Sequence, residues 1–183
     1  MASPYLVSIT QLVRDSPSTL EVALEAPFDE PREFGARGPA ETDVEPDTLV
    51  RVALRLESFS GGLRARGTIS APWRGVCRRC STVVVGVATA DVDERFVLHR
   101  GPGDDLAYVY APDEVDLAPL VHDAIFLELP LAPLCREDCQ GLCPYCGIDR
   151  NESTCDCRAP VDPRWATLDG LRFVEESDEP NPE

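Results

Sequence analysis

Eight cysteines in four close pairs constrain this chain of 183 residues more than any other feature. The tightest grouping contains the run Cys-Pro-Tyr-Cys-Gly, in which two residues separate Cys143 from Cys146. This spacing lets both thiolates approach one metal ion from a single turn, and Gly147 can adopt a positive φ that turns backbone N–H groups towards the sulfurs. The candidate metal ligands are Cys77, Cys80, Cys135, Cys139, Cys143, Cys146, Cys155 and Cys157.

Eight thiolates are enough for two complete tetrahedral sites, so we predict two bound zinc ions. Disulfide bonds are the alternative for an even number of cysteines. However, residues 1–7 have neither a basic region nor a long apolar run, so no signal peptide is visible. We therefore expect a cytoplasmic protein, and reducing conditions favour metal binding over disulfides. Iron remains the alternative to zinc, because the Cys-Pro-Tyr-Cys-Gly turn also suits a rubredoxin-like centre.

The charge of the chain restricts its partners. A formal net charge of −16 argues against broad, nonspecific binding of nucleic acid. No apolar run approaches the length of a membrane span, so we expect no membrane partner. The charge is uneven, since residues 50–80 carry seven arginines against one acid, whereas residues 104–139 carry nine acids against one arginine. These two segments either neutralise each other in the fold or present a basic surface to RNA or a protein.

Alternating apolar residues predict β-strands over 5–14, 19–25, 48–59, 63–70 and 82–98. The strands at 48–59 and 63–70 flank the pair Gly61-Gly62 and are expected to form a hairpin. We interpret residues 27–46, which are rich in proline, glycine and acid, as a surface loop. Strand alternation places four arginines on the outer face of the hairpin, where they are candidate contacts for RNA or a protein partner. These are Arg51, Arg55, Arg64 and Arg66.

One helix is predicted over 116–129, because apolar residues recur there at three- and four-residue spacing. Asp116 is its expected cap and Pro130 its end. The predicted fold class is therefore α+β: an antiparallel β-sheet or partial barrel, one covering helix and a C-terminal zinc-knuckle module. The expected domains are a β-rich domain over 1–134 and a cysteine-rich segment over 135–173. The segment ends in a short helix after Asp162-Pro163, and a disordered acidic tail follows over 174–183.

The sequence contains no motif that predicts catalysis. There is no P-loop, GxGxxG or GxSxG run, and two Cys₄ sites would be closed, whereas catalytic zinc keeps an open coordination position. We therefore expect no catalytic residue, no enzyme activity and no small-molecule substrate. A zinc-thiolate redox sensor or regulator is the alternative function, because oxidation of a Cys₄ site ejects the metal and unfolds the module.

The order of these features resembles the YceD family, the large ribosomal RNA subunit accumulation proteins. The resemblance covers about 73–173 and is carried by the Gly-Leu-Cys-Pro-Tyr-Cys-Gly run at 141–147 and the Asp-Pro-Arg run at 162–164. The family usually has Asn-Leu-Asn after the glycine of its zinc turn, whereas this chain has Ile-Asp-Arg-Asn at 148–151. The resemblance implies a non-enzymatic factor in ribosomal RNA accumulation and ribosome assembly. Its implied partner is a ribosomal protein of the large subunit or a ribosomal RNA precursor.

The resemblance also implies how the thiols group into sites. Some members of the family lack the later cysteines but are similar around Cys77, Cys80 and 133–139, and a histidine can stand where Cys135 is. The implied first site consists of Cys77, Cys80, Cys135 and Cys139, and the second of Cys143, Cys146, Cys155 and Cys157. The first site would join distant parts of the chain, whereas the second would be a local knuckle.

Overall fold

A five-stranded β-sheet organises the first part of the chain. The computed structural model describes residues 3–28, 42–45, 47–158 and 164. Its strands and helices are β1 Leu6–Ser8, α1 Thr10–Arg14, β2 Thr19–Pro27, β3 Leu49–Phe59, β4 Gly62–Val76, β5 Val83–Val97, β6 Tyr108–Val109, β7 Glu114–Asp116 and α2 Ala118–Glu128. The sheet has the order β2-β3-β4-β5-β6, and β1 pairs separately with β7.

The first four strands of the large sheet are antiparallel to their neighbours, and β6 pairs with the end of β5 in parallel. The predicted hairpin is confirmed, with β3 and β4 joined at a turn in which Gly61 and Gly62 both have positive φ. Every second residue of β3 from Val50 to Leu56 is buried, which fixes one face of the sheet towards the core. The β4 and β5 strands continue beyond the end of β3 as a long two-stranded extension.

Helix α2 covers the inner face of β4 and β5. Its buried residues are Leu120, Val121 and Ile125, and together with the buried Leu117 just before the helix they recur at three- and four-residue spacing, which places them on one face against the sheet. Each fully buried aliphatic side chain of this kind stabilises the fold by about 1.5–3 kcal/mol relative to exposure. Tyr5 closes the core, and its hydroxyl donates hydrogen bonds to the carbonyls of Ala26 and Pro27 at 3.2 and 2.9 Å.

The predicted fold class is confirmed as α+β with a mostly antiparallel sheet, but three local predictions are wrong. Residues 5–14 form β1 followed by helix α1, not one strand. Asp116 ends β7, and although its carboxylate accepts a hydrogen bond from the N–H of Ala118, the helix runs from 118 to 128 instead of 116 to 129. Of the predicted surface loop over 27–46, residues 29–41 and 46 lie outside the described residues, and Thr42 and Val44 are buried instead of lying at the surface.

The chain divides into two compact units, Met1–Gly141 and Leu142–Glu183. All strands and helices given above belong to the first unit. The described part of the second unit contains a β-bridge between Leu142 and Asp149 and a series of tight turns. The predicted short helix after Asp162 and the predicted acidic tail lie outside the described residues, apart from Arg164. Within the described ranges, no helix has both the length and the apolar character needed to cross a membrane.

Candidate metal centres

The structure brings the eight thiols together as two clusters of four. The first cluster contains Cys77 and Cys80, which lie in the turn between β4 and β5, with Cys135 and Cys139, which follow α2. All four sulfurs lie within 4.8 Å of one another. The Sγ atoms of Cys77 and Cys139 are 3.8 Å apart, and those of Cys80 and Cys135 are 3.5 Å apart.

Backbone hydrogen bonds hold the two halves of the first cluster against each other. In the β4–β5 turn, the N–H of Cys77 donates to the carbonyl of Thr82 at 2.8 Å. The N–H of Arg78 donates to the carbonyl of Pro133 at 2.9 Å, which ties this turn to the segment after α2. The Arg79 guanidinium donates to the carbonyl of Cys139 at 2.9 Å. The turn and the segment are therefore joined by contacts that do not involve a sulfur.

Burial and hydrogen bonding set the ionisation of the thiols in the first cluster. Burial raises the pKa of Cys77, but backbone N–H groups at Cys135, Arg79 and Cys80 outweigh it and lower the pKa to about 6. For Cys135, which is exposed as a residue, the partial loss of solvation at its sulfur and then the neighbouring thiols raise the pKa to about 12. Backbone donors thus stabilise a thiolate at one position, while the crowding of sulfurs opposes ionisation at another.

The second cluster contains Cys143, Cys146, Cys155 and Cys157, whose sulfurs also lie within 4.8 Å of one another. The Cys143 N–H donates to the Ile148 carbonyl at 2.8 Å, and the Gly147 N–H donates to the Cys143 carbonyl at 2.9 Å. Gly147 has a φ of 73°, which confirms the positive φ predicted for this turn. The cluster is therefore built on a local hairpin-like turn within the second unit.

The second cluster has the same electrostatic pattern as the first. The N–H groups of Cys146 and Tyr145 donate to the Cys143 sulfur and lower its pKa to about 6. For Cys157, the hydrogen bond with Cys146 and then the partial loss of solvation at its sulfur raise the pKa to about 12. The Arg150 guanidinium lies against the sulfurs of Cys143 and Cys155, and its own pKa is raised chiefly by the hydrogen bond to Cys143. Arg150 therefore places a positive charge beside this cluster.

The donor set of the first cluster fits a tetrahedral ion of zinc size, and the second offers the same four sulfurs within 4.8 Å of one another. Zinc–thiolate bonds of about 2.3 Å place ligand sulfurs about 3.8 Å apart along each edge of a tetrahedron. The two sulfur pairs of the first cluster, at 3.8 and 3.5 Å, are close to this value. Four soft sulfur donors in this arrangement are typical of zinc or of iron, and they are a poor match for magnesium or calcium. Both clusters can hold a metal ion.

The four arginines of the predicted basic row lie on one face of the β3–β4 hairpin, where Arg55 is directly opposite Arg66 in the register. Each of them forms an exposed ion pair. The pairs are Arg51 with Glu25, Arg55 with Glu21, and both Arg64 and Arg66 with Asp93. The acidic partners lie on β2 and β5, so the expected pairing of this row with the 104–139 segment is not the one that forms.

Two arginines near the sulfurs were not identified from the sequence. Arg79 lies between the first two cysteines, and its side chain bridges to the carbonyls of Glu137 and Cys139. Arg150 belongs to the run at 148–151 that departs from the usual family pattern. That departure is the sequence feature from which a role for Arg150 beside the sulfurs could have been predicted. No sequence signal distinguished Arg79 from its neighbour Arg78, because only the fold determines which of them faces the second cysteine pair.

Comparison with known proteins identifies the family. A family model described as "Large ribosomal RNA subunit accumulation protein YceD" matches residues 65–172, which is more than half of the chain. The chain belongs to the YceD family. The match contains all eight cysteines of the two clusters, together with β5, β6, β7 and α2. No solved structure matches the chain.

Relatives of this YceD-family chain occur in bacteria and plants. An uncharacterized protein of Mycobacterium tuberculosis is 33% identical over 173 residues, which cover 92% of this chain and 81% of the relative. The uncharacterized protein YlbN of Bacillus subtilis is 30% identical over 148 residues, which cover 79% of this chain and 86% of YlbN. A chloroplastic protein of Arabidopsis thaliana, named large ribosomal RNA subunit accumulation protein YCED homolog 1, is 31% identical over 70 residues, or 38% of this chain and 22% of the relative.

Proposed function

We propose that this YceD-family protein is a non-enzymatic, cytoplasmic factor that supports the accumulation of large-subunit ribosomal RNA and the assembly of the ribosome. The observation that carries this proposal is the family match over 65–172, which spans both thiol clusters. The two clusters each offer four closely spaced sulfurs, so they suit structural metal ions better than a catalytic ion with an open position.

In this proposal each cluster holds one zinc ion. A bound zinc ion would neutralise the crowded thiolates and cross-link the segments that carry them. In the first unit the cross-linked segments are the β4–β5 turn and the chain after α2, and in the second unit they are two neighbouring turns. Zinc would therefore act on stability and shape, and the rest of the surface would meet the partner.

We propose a basic ribosomal protein of the large subunit as the direct partner, in preference to a ribosomal RNA precursor. The net charge of −16 repels RNA and attracts basic proteins. The four arginines that were candidates for RNA contact are each engaged by a carboxylate of the same sheet. These ion pairs are exposed, so RNA could displace each arginine from its carboxylate at little cost in free energy. The negatively charged carboxylates would nevertheless stay beside the bound RNA and repel it.

The proposal is tested by depleting the protein in its own host and measuring ribosomal RNA and subunit profiles. We expect large-subunit RNA and free large subunits to fall, and the wild-type chain to restore both. Unchanged RNA levels and subunit profiles after depletion would refute the proposed function.

The choice of partner needs a separate binding assay with purified protein. Ribosomal RNA is titrated at two salt concentrations with the wild-type chain and with the double variant Arg64→Glu/Arg66→Glu. We expect weak RNA binding that the double variant does not change. Tight, salt-sensitive binding that the double variant weakens, with a shallower salt slope, would establish RNA as the direct partner.

One observation favours the alternative function, a zinc-thiolate redox sensor. Cys135 in the first cluster and both Cys146 and Cys157 in the second are exposed to solvent, so an oxidant can reach at least one thiol of each centre. A sensor would release zinc rapidly and reversibly in mild peroxide, whereas a structural centre would retain it under the same exposure. We expect retention, and metal release measured with a chromogenic chelator decides between the two functions.

A further inference from the structure

The outer edge of strand β5 has no partner strand over most of its length. The β4–β5 pairing is continuous from Leu63 with Phe96 to Val76 with Val83, and it contains no bulge. On the other side of β5, strand β6 pairs only with Phe96 and Val97. Within the described ranges, no segment pairs with the edge of β5 from 83 to 93.

The direction of the unpaired backbone groups follows from the two ends of β5. The carbonyl of Thr82 accepts a hydrogen bond from Cys77, at the end of β4, whereas the carbonyl of Val97 accepts one from Tyr110, beside β6. Because successive residues of a strand point their N–H and C=O groups to alternate sides, the odd-numbered residues between them face the free edge. On the unpaired stretch these are Val83, Val85, Val87, Thr89, Asp91 and Asp93.

This edge lacks the features that usually protect sheet edges from pairing. Residues 82–90 contain no charged residue and no proline. Val83, Val85 and Val87 are 50%, 72% and 65% exposed, and they line a groove of about 660 Å³ on the outer face of the β4–β5 extension. The free backbone groups and the exposed valine side chains belong to the same residues. One extended segment could therefore form hydrogen bonds with the backbone groups and cover the valines at the same time.

The charge around the edge selects the kind of segment. Asp91 and Glu94 are exposed beside the apolar stretch, and neither forms an ion pair within the described residues. The guanidinium of Arg74, which also lines the groove, is already bound to Glu45 at 3.1 Å. With a net charge of −16, the chain repels a second copy of itself and attracts a basic segment.

We propose that the free edge of β5 from 83 to 91 binds an extended, basic segment of a partner protein as an additional antiparallel or parallel strand. Backbone hydrogen bonds from the odd-numbered residues provide the pairing, and the valines of the outer face accept apolar side chains at alternate positions of the segment. Asp91, which lies on the same face as the valines, binds a basic side chain just beyond the apolar stretch, and Glu94, on the opposite face, binds a basic side chain at an alternate position of the segment. This surface is distinct from both thiol clusters, and its test does not depend on a role in ribosome assembly.

The test uses the full-length, zinc-loaded chain and a synthetic nine-residue peptide in which valine alternates with arginine, except that arginine replaces the valine at the end that would face Asp91. The control peptide has the same sequence with N-methyl groups on every second backbone nitrogen, which removes the donors that face the edge. In the free protein, we expect the amide hydrogens of Val85 and Val87 to exchange rapidly and those of Val84 and Ala88 to exchange slowly. The arginine–valine peptide should slow exchange at Val85 and Val87, and the methylated peptide should bind at least about tenfold more weakly.

Two matched variants separate the edge from the rest of the face. Val85→Lys places a charge on the edge strand, whereas Ala53→Lys places the same charge at an exposed position of the interior strand β3. We expect Val85→Lys to weaken peptide binding at least about tenfold and Ala53→Lys to change it less than about twofold. A melting curve checks that both variants remain folded. If Val85→Lys does not fold, Val87→Pro replaces it, because proline at residue 87 removes an edge-facing N–H without breaking the hydrogen bonds between β5 and β4.

Three results would overturn the proposal. Equal binding of the methylated peptide would show that backbone pairing is not used. Slow exchange at Val85 and Val87 in the free, monomeric chain would show that the edge is already covered. A dimer in sedimentation experiments that Val85→Lys dissociates would show that a second copy occupies the edge.

Discussion

Loss of the first thiol cluster should destabilise the protein more than loss of the second. The perturbations are Cys77→Ser and Cys143→Ser, which each remove one sulfur with little change of side-chain volume. The sulfurs of the first cluster join positions that are 55 and 62 residues apart, whereas Cys146 and Cys155 are nine residues apart. A cross-link that closes a longer loop removes more entropy from the unfolded chain.

The loop lengths give the size of the expected difference. Closing a loop of 55 residues removes about 4 kcal/mol of chain entropy from the unfolded state, and a loop of nine residues removes about 2.5 kcal/mol. For the first unit, a loss of this size lowers the melting temperature by about 10–20 °C. The Cys143→Ser variant should leave the melting of the first unit unchanged, because its cluster belongs to the second unit.

Calorimetry and elemental analysis of the same samples provide the assay. We expect each serine variant to contain one zinc ion fewer than the wild type, and only Cys77→Ser to lower the main transition. Ser81→Ala is the matched control, because Ser81 lies exposed in the same turn and contributes no sulfur. Identical melting of the two cysteine variants would refute the distinction between a long-range and a local centre.

Three further predictions concern the metal, the charges and the core. Elemental analysis of the wild-type chain should find about two zinc ions, and a value near one would mean that only one cluster is filled. Hydrogen bonds from Arg64 lower the pKa of Asp93 to about 2, so this ion pair should stabilise the fold above about pH 4 and be lost as the pH falls through 2. An NMR titration should find this carboxyl near pH 2, and Arg64→Gln should move it towards 4. On α2, Ile125→Ala should cost about 2–5 kcal/mol in denaturant unfolding and the 80%-exposed Leu127→Ala less than about 0.5 kcal/mol, since only Ile125 is buried.

The parts of the fold that could be predicted are those with a strong local signal. The alternation over 48–59 and 63–70, with two glycines between them, specified both strands, their pairing and the face that carries Arg64 and Arg66. The helical spacing and Pro130 located α2 to within two residues at its start and one at its end. The cysteine spacing identified all eight thiols, although their grouping came from the family resemblance and not from the spacing.

The errors arose where long-range contacts override a local pattern. Residues 5–14 alternate well enough for a strand, but only Leu6–Ser8 find a partner, β7, which lies more than 100 residues away. Asp116 has the chemistry of a helix cap, but the same pairing with β1 holds it in a strand. In the loop over 27–46, Asp43 pairs with Arg74 by two backbone hydrogen bonds of 2.8 Å, a contact that composition does not predict.

The ion-pair partners of the four arginines in the basic row could not be predicted from the sequence either. Counting charge by segment suggested that residues 104–139 would neutralise the arginines. Sheet register decides instead, because Glu25 is directly opposite Arg51 across β2 and β3, and Asp93 is directly opposite Arg66 across β4 and β5. Charge balance over a segment therefore predicts that an ion pair forms but not which residues form it.

The position of the first cluster follows from a weakness in the sheet. Strand β3 pairs with β4 only as far as Ser70, so residues 71–76 and 83–88 extend beyond it as a two-stranded ribbon, which within the described residues gains one further backbone pairing, the bridge between Asp43 and Arg74. A two-stranded ribbon is marginally stable on its own. Here the ring of Trp73 packs so closely over Gly86 that a Cβ at residue 86 would lie 2.8 Å from it, and Val84 packs with Leu134 against the first cluster. The thiols at the tip of the ribbon, once joined by an ion to the chain after α2, therefore fix the end that neither β3 nor β6 supports. The same ribbon carries the free edge of β5, so an ordered first centre is what would keep that edge straight enough to receive another strand.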